Sequence, residues 1–100
     1  MKLLNAFSLQ MLPLTEATSV NFKPCNNKVF ETLKSDNALE SFIGHQDLAN
    51  ILGVPMNRGF ATLGKGEKAL IAQVVGGRLP EGTTEIPEGM EIRFVIVEVQ

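Results

Sequence analysis

Histidine and cysteine occur once each in the chain, as His45 and Cys25, and tryptophan and tyrosine do not occur at all. One His and one Cys exclude a two-histidine zinc site, a Cys/His cluster and a His-pair relay. A single Cys also excludes an intrachain disulfide, which fits a reducing compartment. Any imidazole acid–base chemistry within one chain has to run through His45. No apolar run approaches about 18 residues, so the sequence offers no membrane span. The opening stretch from Met1 to Phe7 carries one positive charge and is interrupted by Asn5, too short a pattern for a signal peptide. An excess of positive charge is missing as well. Nine Lys and Arg stand against eleven Asp and Glu, a net charge of −2, which argues against a coat for long nucleic acid. A small anionic ligand stays open, because it needs only a few well-placed donors. The expectation is a soluble cytoplasmic protein.

What is present is a globular composition. Hydrophobic residues make up 44% and charged residues 20% of 100 residues, enough for one core and one domain over 1–100. Residues 2–6 read as a short strand. Ser8 stands as the cap of a brief turn through Leu9, Met11 and Leu12, stopped by Pro13. Val20 and Phe22 alternate with polar neighbours over 18–23, a half-buried strand pattern. Pro24 is read as the opening residue of a helix that places Val29, Phe30 and Leu33 on one face. Residues 38–43 fit either a strand or a helical stretch. A second helix after His45 carries Leu48, Ile51 and Leu52 and ends at Gly53. Stretches 57–63 and 68–75 flank Gly64-Lys65-Gly66-Glu67, which predicts a β-hairpin turn. The nearly continuous apolar run 69–75 predicts a central strand, and 91–99, with Ile92, Phe94, Val95, Ile96 and Val97, predicts another. The sum is a mixed sheet of about five strands flanked by short helices, an α+β or α/β single domain.

Three polar loops interrupt the apolar elements: Asn5 to Ser8, Gly44 to Asp47, and Gly76 to Glu81. Each follows an expected strand, so all three are candidates to meet at one edge or end of the sheet. The first two open helical turns, whose free N–H groups suit a phosphate. The third offers Arg78, a fork-shaped donor for phosphate oxygens, with Glu81 three residues on. Simpler roles stand beside these. Ser8 serves equally as a helix cap, Asn5 as a partner for loop backbone, and Arg78 with Glu81 as a solvated ion pair. His45 next to a helix start is open to a structural or a catalytic role.

In order and spacing, the segments Asn5-Ala6-Phe7-Ser8, Ile43-Gly44-His45 and Arg78-Leu79-Pro80-Glu81-Gly82, with Asn57-Arg58 and Gln73 between them, resemble the small viral and prokaryotic ring nucleases of the type III anti-CRISPR family. The resemblance covers nearly the whole chain. It implies a homodimer that binds cyclic tetra-adenylate across its two-fold axis. The ring is then cut to linear di-adenylate with a 2′,3′-cyclic phosphate end, without a metal or other cofactor, and type III CRISPR signalling is switched off.

By that resemblance His45 is the general acid that protonates the departing 5′-oxygen, and Arg78 stabilises the charge on the phosphate. Glu81 positions the histidine or the ribose, and Ser8 holds the attacking 2′-hydroxyl in line. Asn5, Ala6, Phe7, Gly44, Gln46, Arg58 and Gln73 are the implied ligand contacts. The chain also departs from the family pattern. Segment 83–90 is short and contains Pro87, so the helix usual there is expected to be reduced or absent, and Pro80 replaces a commonly acidic residue. Two other classes remain beside the enzyme: a non-catalytic sponge for cyclic nucleotides, and a small phage-type regulatory or structural protein.

Overall fold

The computed structural model describes all residues, 1–100, as one five-stranded mixed sheet with two helices. The strands are β1 (Lys2–Leu4), β2 (Val20–Cys25), β3 (Glu40–Phe42), β4 (Lys68–Val75) and β5 (Glu91–Val99), in the spatial order β2-β5-β4-β1-β3. Helix α1 (Asn27–Ser35) joins β2 to β3, and α2 (Gln46–Leu52) follows β3. A single 3-10 turn at Leu9–Met11 follows β1. β1 runs parallel to both β3 and β4, so the carboxyl ends of these three strands share one end of the sheet. β5 is antiparallel to β4 and to β2.

The period-2 alternation of strand side chains builds two cores, one on each face. On one face Leu3, Leu70, Ala72 and Phe94 pack under Phe30 of α1 and Leu48, Ala49 and Leu52 of α2. On the other, Leu4, Ala69, Ile71, Val97 and Val99 are covered by Leu12, Ala61 and Leu63, which lie in irregular segments. Both helices thus serve one face, and coil serves the other.

Three expectations from the sequence need correction. Pro24 does not open the helix. It lies within β2 opposite Val95, tolerable because β2 is an edge strand whose outer N–H row needs no partner. The helix begins after Asn26, whose side chain accepts from Val29 N–H at 3.3 Å. Residues 57–63 do not form a strand, so the turn at Gly64–Glu67 does not join a hairpin. The true hairpin is β4–β5, joined by the long 76–90 connection. Residues 38–43, readable either way from sequence, supply the short strand β3. Segment 83–90 holds turns and no helix, as its Pro87 suggested.

One ion pair ties the amino end of β1 to that of β4. Lys2 Nζ lies 3.0 Å from Glu67 Oε2, and Glu67 Oε1 accepts from Gly64 N–H at 3.0 Å. Partial burial pushes the Glu67 carboxyl up. The Gly64 hydrogen bond and Lys2, helped by the N-terminal ammonium, outweigh that effect and hold it below the ordinary 4.5. A depressed folded value contributes stability that is present above the unfolded value and lost as pH falls through the folded one. Glu67→Gln is therefore expected to lower stability near pH 7 by less than about 1 kcal/mol, the range of a solvent-screened pair. Urea melts should show the gap to the parent chain closing at acid pH; a gap that stays constant refutes the assignment.

Candidate functional site

The parallel arrangement of β1, β3 and β4 brings the three polar loops to the carboxyl end of the sheet, the usual place for ligands in open α/β sheets. Asn5 follows β1, Gly44 and His45 follow β3, and Gly77, Arg78 and Leu79 follow β4. Asn5, His45, Leu48, Gln73, Val74, Gly77, Arg78 and Leu79 line a cleft of about 560 Å³. Of the expected residues, the fold therefore gathers His45, Arg78, Asn5 and Gln73 in one place.

His45 is held by its own helix. It is the cap residue of α2, in extended backbone geometry, and its Nδ1 accepts from Leu48 N–H at 3.4 Å. An accepting Nδ1 carries no proton, so the neutral ring holds its proton on Nε2. Nε2 makes no bond within the chain. The structural and chemical readings of this histidine coexist: one ring nitrogen fixes the helix start and the other is free for a ligand. A proton added at Nδ1 would end the cap bond.

Asn5 shows the same division of labour. Its Oδ1 accepts from Gly44 N–H at 3.0 Å, tying the loop after β1 to the loop after β3, while its Nδ2 donors have no partner in the chain. Arg58 Nε donates to Gly44 O at 3.3 Å, closing a third segment onto the same glycine. Arg58 and Arg78 are both exposed and neither pairs with a carboxylate; the chain's ion pairs use Lys2, Lys65 and Arg93. No carboxylate lines the cleft. In a chain of net charge −2, a cleft walled by an imidazole and an unpaired guanidinium has the donor chemistry that suits an anion.

Glu81 and Ser8 lie outside the cleft lining. Glu81 is exposed in the turn that Thr83 N–H closes on Pro80 O at 3.2 Å. Ser8 stands at the cap of the 3-10 turn, although its side chain makes no cap bond. Ala6, Gly44 and Arg58 line a second hollow that shares Asn5 with the cleft. Phe7 is half-buried against Phe22, the ring centroids 5.4 Å apart and edge-to-face. Gln46 donates along its helix to Asn50 at 2.8 Å. Sequence reasoning missed Asp47, whose Oδ2 accepts from Gly82 N–H at 3.3 Å and pins the loop carrying Arg78 to the helix carrying His45. No local signal announces a bond that spans 35 residues. No group of three or more His, Cys, Asp or Glu is placed to hold a metal ion. No helix is long and apolar enough to cross a membrane.

The turn out of β4 depends on glycine. Gly76 sits at φ +102°, and a Cβ there would lie 2.6 Å from Gly89 O and 3.1 Å from Met90 Cα, both backbone atoms. Gly76→Ala is therefore expected to cost about 1–3 kcal/mol through strain and close contact. It should also loosen the Arg78 loop. Thermal melts and backbone amide exchange over 76–90 test this, and an unshifted melting temperature contradicts it.

A family model described as STIV B116-like matches residues 1–96. Among solved structures, B116 of Sulfolobus turreted icosahedral virus is similar at a TM-score of 0.74 and 23% identity, with 96% of each chain covered, which is a likeness of fold. No curated protein matches the chain. With 96 of its 100 residues matched, the chain belongs to the STIV B116-like family.

Proposed function

We propose that this protein is a metal-independent ring nuclease that acts as a cytoplasmic homodimer on cyclic tetra-adenylate and so ends type III CRISPR signalling. The observation that carries this reading is the cleft itself: His45 with Nε2 free, Arg78 without a carboxylate partner, and Asn5 with free amide donors, all at the carboxyl end of β1, β3 and β4. These are the residues that a self-cleavage of RNA-type phosphodiesters needs. The ribose 2′-oxygen attacks the adjacent phosphorus and its proton passes to solvent. The P–O5′ bond breaks, and protonated His45 gives its Nε2 proton to the departing 5′-oxygen. Arg78 offsets the charge that builds on the phosphate, while Asn5 and Gln73 hold the sugar–phosphate in line. Two such cuts turn one ring into two linear di-adenylates, each ending in a 2′,3′-cyclic phosphate.

The dimer is part of the proposal for a reason of size. A cleft of about 560 Å³ suits a drug-sized ligand, which is a portion of a four-nucleotide ring. Two copies related by a two-fold axis would supply two such clefts and one cut each. The placement of Glu81 and Ser8 outside the cleft favours, as a second reading, a sponge that binds the ring without cutting it. Incubating the protein with labelled cyclic tetra-adenylate in EDTA separates the two. Linear di-adenylate supports the nuclease, retained binding without product supports the sponge, and no binding at enzyme excess removes both.

A further inference from the structure

A second hollow of about 300 Å³ adjoins the cleft, its walls including Asn5, Met11, Gly44, Arg58, Phe60 and Ala61. Asn5 lines both cavities and is the wall they share. We propose that this hollow is a nucleobase subsite, in which a purine stacks on Phe60 while Arg58 holds the adjoining phosphate. The proposal rests on the nucleotide-binding reading of the neighbouring cleft and extends it to a specific part of the ligand.

Phe60 is the anomaly that points there. It is 65% exposed and takes part in neither aromatic pair of the chain, which join Phe7 to Phe22 and Phe30 to Phe94. Phe22 is exposed too, but its ring already has a partner. Phe60 is also not a loose surface residue. Asn57 N–H donates to Ile43 O at 2.9 Å, Asn57 Nδ2 donates to Ser41 O at 3.1 Å, and Asn57 Oδ1 accepts from Gly59 N–H at 2.8 Å. One residue later Ala61 is buried in the second core. The ring is thus presented from a backbone fixed on both sides, which keeps the ordering cost of binding low.

Arg58 completes the chemistry. Its Nε is engaged by Gly44 O at 3.3 Å, which fixes the guanidinium base, and its terminal nitrogens have no carboxylate partner. An aromatic face, apolar walls from Met11 and Ala61 and a fixed cation describe a base with its phosphate better than they describe a free anion or a peptide. The large π-face of a purine fills that wall more completely than a pyrimidine does.

The chain has no tryptophan, so Phe60→Trp installs a unique fluorophore in the hollow. Saturable quenching of the F60W indole by linear di-adenylate, absent with ribose 5-phosphate, is the expected result. Phe60→Ala and Phe60→Leu should each weaken cyclic tetra-adenylate binding by about 10-fold, with circular dichroism and melting temperature unchanged. Leucine restores bulk but not the π-face, so recovery by Phe60→Leu overturns stacking. If the parent chain binds the ring while F60W is not quenched and Phe60→Ala binds normally, the subsite is wrong and the nucleotide reading stands. If the parent chain binds neither the ring nor di-adenylate, the nucleotide reading fails, and the subsite with it.

Discussion

His45→Asn is expected to bind cyclic tetra-adenylate nearly as well as the parent chain and to cut it about 10²–10⁴-fold more slowly. Asparagine is chosen because it preserves one of the two functions of the residue. His45 caps α2 through Nδ1 to Leu48 N–H, and asparagine is among the best cap residues. Its side chain therefore replaces the cap while supplying no imidazole to donate a proton. His45→Ala removes both functions and should lose in addition about 0.5 kcal/mol of stability, the low end of the capping range, in keeping with a 3.4 Å bond. Single-turnover cleavage with pre-formed complex separates the chemical step from binding. If His45→Asn cuts at the parent rate, His45 is a cap residue only and the acid lies elsewhere.

The largest stability effect is expected at Phe94. It is 4% exposed and lies on the inner strand β5, with Cys25 of β2 on one side and Ala72 of β4 on the other. Its ring stacks on Phe30 of α1, centroids 4.8 Å apart and planes 11° apart. Phe94→Ala should cost about 3–5 kcal/mol, from lost burial and the cavity that remains. In a domain whose whole stability is on the order of 5–15 kcal/mol, that loss lowers the melting temperature by roughly 20 °C. Phe94→Leu keeps most of the volume and should recover a large part of it. Denaturant melts that place Phe94→Ala within 1 kcal/mol of the parent would mean that α1 is not held to the sheet through this ring.

How much of this was legible in the sequence depends on how local each signal is. The apolar run 69–75 announces β4 because its hydrophobicity requires burial on both faces, and Ile92, Phe94, Val95, Ile96 and Val97 announce β5. Gly53 ends α2 in the left-handed conformation its position suggested. Pro24 misled because the same fixed φ suits a helix start and an edge strand, and only the pairing with β5 decides between them. Stretch 57–63 misled in a more instructive way. Ala61 and Leu63 are buried while Phe60 and Thr62 are exposed, so the alternation is real. It comes from side chains laid over the second face, with Leu63 N–H reaching Met11 O rather than a neighbouring ladder. Alternation reports burial, and a strand also needs a partner. In the site, Asn5, His45 and Arg78 were legible because polar residues in loops that follow apolar strands stand out, whereas Gln73, inside β4, entered only through the family resemblance. The Asp47–Gly82 bond and the exposed Phe60 were not, since their meaning lies in what the fold sets beside them.

Finally, the shortest strand bears on how the molecule assembles. β1 has three residues but lies between β4 and β3, pairing Leu3 with Leu70 on one side and with Ser41 on the other. The first strand to emerge during synthesis must therefore wait for some two-thirds of the chain before its inner edge is satisfied. Such non-local pairing slows folding, because loop closure precedes the contacts that reward it. It also makes the cleft an all-or-none product of that closure. Asn5, His45 and Arg78 hang from three strands that are aligned only through β1, so a nascent or cleaved chain that stops before β4 carries Asn5 and His45 but neither Arg78 nor the cleft.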